Sequence, residues 1–177
     1  TREDAQKFVV WTNYAPKGTR SFGPVRATLY GGADYPTHAN DTSVRFAMIE
    51  TAQALDNLDA IMSVEGLDAI YIGPSDLSLA LGCRPVFDDV DPPVAQAIDH
   101  ILARATAHGI KAGVHNGIAE GALARIAKGF RFVTVGSEVP RDRGGPVTVP
   151  HEAHPPLTVD PFGLRLPETD IEDRGDG

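Results

Sequence analysis

Residues 45–82 read RFAMIETAQALDNLDAIMSVEGLDAIYIGPSDLSLALG, and the fold turns on how the two apolar runs in this stretch are taken. RFAMIE (45–50) and AIYIG (69–73) are apolar through most of their length and do not alternate cleanly. Such runs suit parallel strands buried on both faces. Between them, Ala54, Leu55, Leu58 and Ile61 recur at helical spacing over residues 51–63. Strand, helix, strand is the unit that makes two strands parallel through a right-handed crossover.

The same unit repeats downstream. KAGVH (111–115) and FVTVG (132–136) are two further strand-like runs. A helical pattern over 94–108 carries Ala97, Ile98, Ile101, Leu102 and Ala105, and another covers 118–128. Gly109 and Gly129 stand where helices stop. The order β-α-β-α-β-α-β predicts an α/β fold, and four parallel strands are half of a (β/α)8 TIM barrel. An open doubly wound sheet is the alternative, but no G-x-G-x-x-G turn follows any of the runs.

The ends differ from the middle. Residues 1–13 read as an amphipathic helix, 15–18 as a turn, and the Gly/Tyr-rich stretch up to Asp41 as a loop. Residues 139–177 hold seven of the fourteen prolines and four Arg against eight Asp or Glu, and they lack periodicity. That composition predicts a disordered acidic tail after a domain spanning 1–138. The chain opens on Thr1 without a signal peptide, directly in helix-like sequence, which suggests that something upstream is absent.

Apolar residues make up 42% and charged residues 23% of the 177, an ordinary globular composition. A net charge of -8 argues against a nucleic-acid surface, which needs clustered Lys and Arg. A small anionic substrate remains compatible with a locally positive pocket. No apolar run approaches the roughly 20 residues that span a bilayer. The lone Cys83 cannot form an internal disulfide, which favours a reducing compartment and a cytoplasmic location.

In an α/β barrel the functional groups sit where strands end and the following loops converge. Glu50 ends the first run, and Asp76 lies just past the second, in Gly73-Pro74-Ser75-Asp76-Leu77-Ser78. Neighbouring strands lie about 4.8 Å apart, so both carboxylates can reach one ion. Two hard oxygen ligands, completed by water and substrate, suit Mg2+ or Mn2+. The same positions also suit helix caps and ion pairs, and both readings stand at this point. Successive N–H groups around Ser75 and Asp76 can hold a carboxylate, or simply form a βα turn. His115-Asn116 ends the third run and faces the same rim, where a histidine can meet substrate or stay solvated. Ser137 and Glu138 close the fourth on weaker grounds. No H-E-x-x-H, P-loop or G-x-S-x-G motif occurs.

Residues 50–82 closely resemble the HpcH/HpaI aldolase family, through Ile49-Glu50-Thr51, A-L-x-N-L-D-x-I (54–61), V-E-G-L-D (64–68) and I-G-P-S-D-L-S (72–78) taken together. Upstream, YAPKGTRSFG (14–23) is similar to the family's Y-P-P-x-G-x-R-G segment. Downstream, HGIKAG (108–113) and GFRFVTVG (129–136) match its last two strands. The resemblance covers roughly 1–138 and implies the last four βα units of a barrel, with a divalent cation (Mg2+ or Mn2+, with Co2+ a further candidate) that binds the enolate of pyruvate. It implies Glu50 and Asp76 as metal ligands, the N–H groups of Ser75 and Asp76 as holders of the pyruvate carboxylate, and Tyr71 and His115 as the wall of the aldehyde pocket. The implied activity is a class II pyruvate aldolase acting on 4-hydroxy-2-oxo acids. The implied partners are a small 2-oxo acid, an aldehyde and further copies of the chain in a homo-oligomer.

The sequence also departs from that family. The family's first four strands, with their His–Asp pair and substrate-binding Arg, have no counterpart here, so the catalytic base is unassigned. Met48 stands where relatives often carry Gln. Two rival readings follow: a truncated, non-catalytic relative that binds metal or pyruvate weakly or only pairs with other subunits, and a lyase for acyl-CoA thioesters. The absence of a basic patch for a CoA phosphate counts against the latter.

Overall fold

The computed structural model describes residues 1–136. The expectations for Ser137, Glu138 and the acidic tail lie outside the described residues. In chain order the elements are α1 (Arg2–Thr12), α2 (Val25–Gly31), α3 (Tyr35–Thr42), β1 (Phe46–Ile49), α4 (Ala52–Asp56), α5 (Leu58–Met62), β2 (Ala69–Ile72), α6 (Pro74–Ala80), α7 (Pro92–Ala107), β3 (Lys111–Asn116), α8 (Ala119–Lys128) and β4 (Phe132–Val135). The strands form one parallel sheet in the order β1-β2-β3-β4. All four expected strands are present, and each helix between them returns the chain for another parallel pairing.

Register decides which residues share a face. Ile49 pairs with Ile72, Ile72 with Val114, and Val114 with Val133. Ile49, Ile70, Ile72 and Val114 are fully buried on that face. Against it lies α7, whose Val94, Ile98, Ile101 and Ala105 recur along one stripe and are fully buried too. Each such Ile or Val contributes about 1.5–3 kcal/mol through burial, so this layer holds the sheet together. The opposite face carries Phe46 and Met48 from β1, Tyr71 and Gly113 at one register level, and His115 beside Thr134. It is far less covered: Met48 is 54% and Phe132 40% exposed. In a closed barrel this face would point inward.

Two sequence expectations are corrected. The helix expected over 51–63 is two short helices broken at Asn57, where the backbone turns to φ -114°, ψ 13°. The Asn57 side chain donates to the Gln53 carbonyl at 2.8 Å, an example of a short amide competing with the helical ladder. The stretch read as a loop up to Asp41 contains α2 and α3. Both are short and lack an apolar stripe, and Pro36 sits in the first turn of α3, where its missing N–H costs nothing. The buried Arg45 anchors this segment: its guanidinium donates to Asn13 Oδ1, to the carbonyls of Asn40 and Ser43, and to Asp68 Oδ2.

Among the described residues no helix is long and apolar enough to cross a membrane.

Candidate active site

The C-terminal ends of the strands bring Glu50, Tyr71, Asp76, His115 and Thr134 to one side of the sheet. Glu50 directly follows β1, and Gly73 directly follows β2 and starts α6. Asp76 lies in the first turn of α6, three residues after the N-cap Gly73. The capping alternative fails for both acids. Thr51 caps α4, its hydroxyl accepting from Ala54 N–H at 3.1 Å, and α6 has no side-chain cap. Neither carboxylate has a hydrogen-bond or ion-pair partner among the described residues.

The two acids nevertheless sense one another. Partial burial pushes the Glu50 carboxyl above the ordinary glutamate range, and the negative charge of Asp76 pushes it further. A charge raised this way is disfavoured in the fold once it ionises. Glu50 binds more protons folded than unfolded between its ordinary value of 4.5 and its raised one. Stability therefore falls as pH rises through that window. For Glu50→Gln in EDTA, the melting temperature at pH 7 is expected to exceed that of the parent by about 1–2 °C, the small size reflecting solvent screening. At pH 4 the two melts should coincide; an equal offset at both pH values would contradict a Glu50 carboxyl raised by burial and by the charge of Asp76.

Gly73 is shaped around the same carboxylate. A Cβ there would stand 2.8 Å from Glu50 Oε2 and 3.7 Å from Met48 Cε. Two partnerless carboxylates near enough for the charge of one to raise the other have the oxygen chemistry that suits a hard divalent cation. No group of three or more His, Cys, Asp or Glu that could hold a metal ion converges among the described residues.

Further along the rim, Tyr71 and His115 are brought together with Thr134. Thr134 Oγ1 lies 2.5 Å from Tyr71 Oη and 2.7 Å from His115 Nδ1, and Tyr71 Oη is 3.4 Å from the same nitrogen. Gly113 makes room, since a Cβ there would stand 2.9 Å from Tyr71 Cδ2 and 3.1 Å from Phe132 Cδ1. Phe132 packs on Tyr71 with ring centroids 5.8 Å apart. Thr134 was not singled out by sequence, although its place two residues after Phe132 puts it on the same face as His115. Phe87, whose ring meets His115 edge-on at 4.6 Å, comes from the α6–α7 loop and left no local signal.

Comparisons with known proteins give this geometry a context. The chain is 43% identical over 139 residues to a hydroxypyruvate/pyruvate aldolase of Rhizorhabdus wittichii, covering 78% of this chain and 55% of the relative. It is 40% identical over 141 residues to a 5-keto-4-deoxy-D-glucarate aldolase of Shigella dysenteriae, covering 78% and 54%. A crystal structure of an HpcH/HpaI aldolase/citrate lyase family protein from Burkholderia cenocepacia superposes with a TM-score of 0.68 at 28% identity, over 78% of this chain and 56% of that one. The chain thus spans about half the length of the curated relatives it matches. The family model described as HpcH/HpaI aldolase/citrate lyase matches residues 1–141. On its sheet, its rim and these matches, the chain belongs to the HpcH/HpaI aldolase/citrate lyase family, as the portion that carries four parallel strands of the barrel.

Proposed function

We propose that the chain is the metal-bearing half of a class II pyruvate aldolase, a carbon–carbon lyase that cleaves 4-hydroxy-2-oxo acids to pyruvate and an aldehyde. The observation that carries this reading is the pair of partnerless carboxylates, Glu50 just after β1 and Asp76 in the first turn of α6 after the neighbouring β2, near enough for the charge of Asp76 to raise the Glu50 carboxyl. They would hold Mg2+ or Mn2+, with Co2+ a further candidate. A cation held by these two carboxylates would supply positive charge against the negative charge that develops on the pyruvate side as the C3–C4 bond breaks.

The chain's own groups do the rest of the binding. The N–H groups of Ser75 and Asp76 lie in the first turn of α6, where helical hydrogen bonds begin only with Leu77 N–H on the Gly73 carbonyl, so both can donate to the pyruvate carboxylate. Tyr71 on β2 and His115 on β3 would wall the aldehyde half. The base that takes the proton from the 4-hydroxyl is unassigned. A homo-oligomer in the cytoplasm belongs to the same reading.

Among the described residues β1 and β4 each pair on one side only, which favours a second reading, in which the isolated chain is a non-catalytic relative that binds pyruvate and metal weakly or only pairs with other subunits. Retro-aldol assay of the chain with a 4-hydroxy-2-oxo acid separates the two. Pyruvate release that EDTA abolishes and Mg2+ restores is the expected result; release that persists in EDTA would overturn the metal-dependent reading. Metal-dependent pyruvate binding without release would favour the non-catalytic relative.

A further inference from the structure

The loop between α6 and α7 is tied at its base and at its tip. At the base, the guanidinium and backbone N–H of Arg84 donate to the Asp91 carboxylate at 3.0–3.2 Å. At the tip, Asp88 Oδ2 accepts from the backbone N–H groups of Gly117 at 2.7 Å and Ile118 at 3.1 Å. These lie just before α8, whose N-cap, Ile118, has no side chain to offer. Asp88 therefore serves that helix start from another loop. Two glycines leave room for it: a Cβ on Gly117 would stand 2.8 Å from Asp88 Oδ2, and one on Gly121 would collide with Asp88 Oδ1. The residue before it, Phe87, presses edge-on against His115 at 4.6 Å.

We infer that Asp88 is a positioning residue for His115: its grip on the start of α8 holds the Phe87 ring against the imidazole and so fixes that imidazole on the rim. The imidazole is also held by Thr134 at Nδ1, and Phe87 supplies the apolar contact that the hydroxyl cannot. The inference deepens the reading of His115 as the aldehyde-side wall and rests on it, because the position of the ring matters to the reaction only if it meets substrate there.

The test is the NMR spectrum of the His115 ring protons in the full chain, assigned by His115→Gln. Phe87→Leu removes the aromatic edge and supplies the reference positions for an uncovered imidazole. Asp88→Ala, which keeps Phe87, is expected to move the His115 signals most of the way to that reference. Asp88→Asn, whose amide oxygen still accepts both N–H groups, is expected to leave them near the parent positions. Gly121→Ala displaces the Asp88 carboxylate without removing it and is expected to act like Asp88→Ala, so it carries the test if the latter does not fold. His115 signals that stay at the parent positions in both would overturn the inference, whatever happens to the melting temperature, because helix capping alone would leave the ring contact in place. Calorimetry of pyruvate with Mg2+ keeps the two proposals apart. The parent failing to bind pyruvate would sink the aldolase reading and leave the ring result standing, whereas Asp88→Ala losing pyruvate binding would place its effect on the cation side and overturn the positioning role.

Discussion

Replacing Glu50 with alanine is expected to lower Mg2+-dependent pyruvate affinity at least about 100-fold, since even partners one step removed from a metal commonly cost 10–100-fold. The reason is the small size of the protein's contribution. In the proposed site Glu50 and Asp76 are the two protein ligands, with no larger group of candidate ligands among the described residues, so removing one leaves a single carboxylate competing with water for a strongly hydrated cation. The loss should not come from unfolding, because the Glu50 carboxylate has no hydrogen-bond or ion-pair partner among the described residues. Titration calorimetry with Mg2+ and pyruvate, beside a thermal melt in EDTA, checks both halves. Binding at parental strength would count directly against the assignment.

The second large effect is at Gly73. Its backbone, at φ -96° and ψ 95°, is extended and open to any L-residue, so the glycine is not there for a left-handed turn. What it provides is space, with Glu50 Oε2 only 2.8 Å from where a Cβ would stand. That oxygen is the far end of a flexible side chain and can swing away at small cost to the fold. Gly73→Ala is therefore expected to leave the melting temperature within about 2 °C and to lower Mg2+–pyruvate affinity about tenfold, the scale of a disturbed metal surround. A stability loss without a binding loss would show that Gly73 serves packing instead.

These two residues also show what the sequence made legible. β1 and β2 are apolar nearly throughout, the pattern of strands covered by helices on one face and, in a closed barrel, by the barrel interior on the other, and that pattern reads without a structure. α7 announces itself for the same reason, with Val94, Ile98, Ile101 and Ala105 on one stripe. Once strands are placed, position alone points to Glu50 and Asp76 as rim residues. Where burial does not impose a period, the reading fails. α2 buries none of its residues and went unseen, and the break at Asn57 depends on one side-chain hydrogen bond.

The rest of the site was hidden for a different reason. Tyr71 and Thr134 are 63 residues apart in sequence and meet only because β2, β3 and β4 settle into one register. Phe87 and Asp88 reach the rim through a loop whose course depends on Arg84, Asp91 and two glycines on α8's approach and first turns. No local pattern carries such contacts. The family resemblance placed Tyr71 and His115 beside a substrate, but it did not name the hydroxyl that joins them.

The central claim is that Glu50 and Asp76 hold one divalent ion that also contacts pyruvate. Electron paramagnetic resonance of Mn2+ added to the chain, with and without 13C-labelled pyruvate, addresses it most directly. The expected result is a protein-bound Mn2+ signal that the labelled pyruvate broadens and that Asp76→Asn removes. A spectrum that remains that of hydrated free Mn2+ with and without pyruvate would contradict the claim.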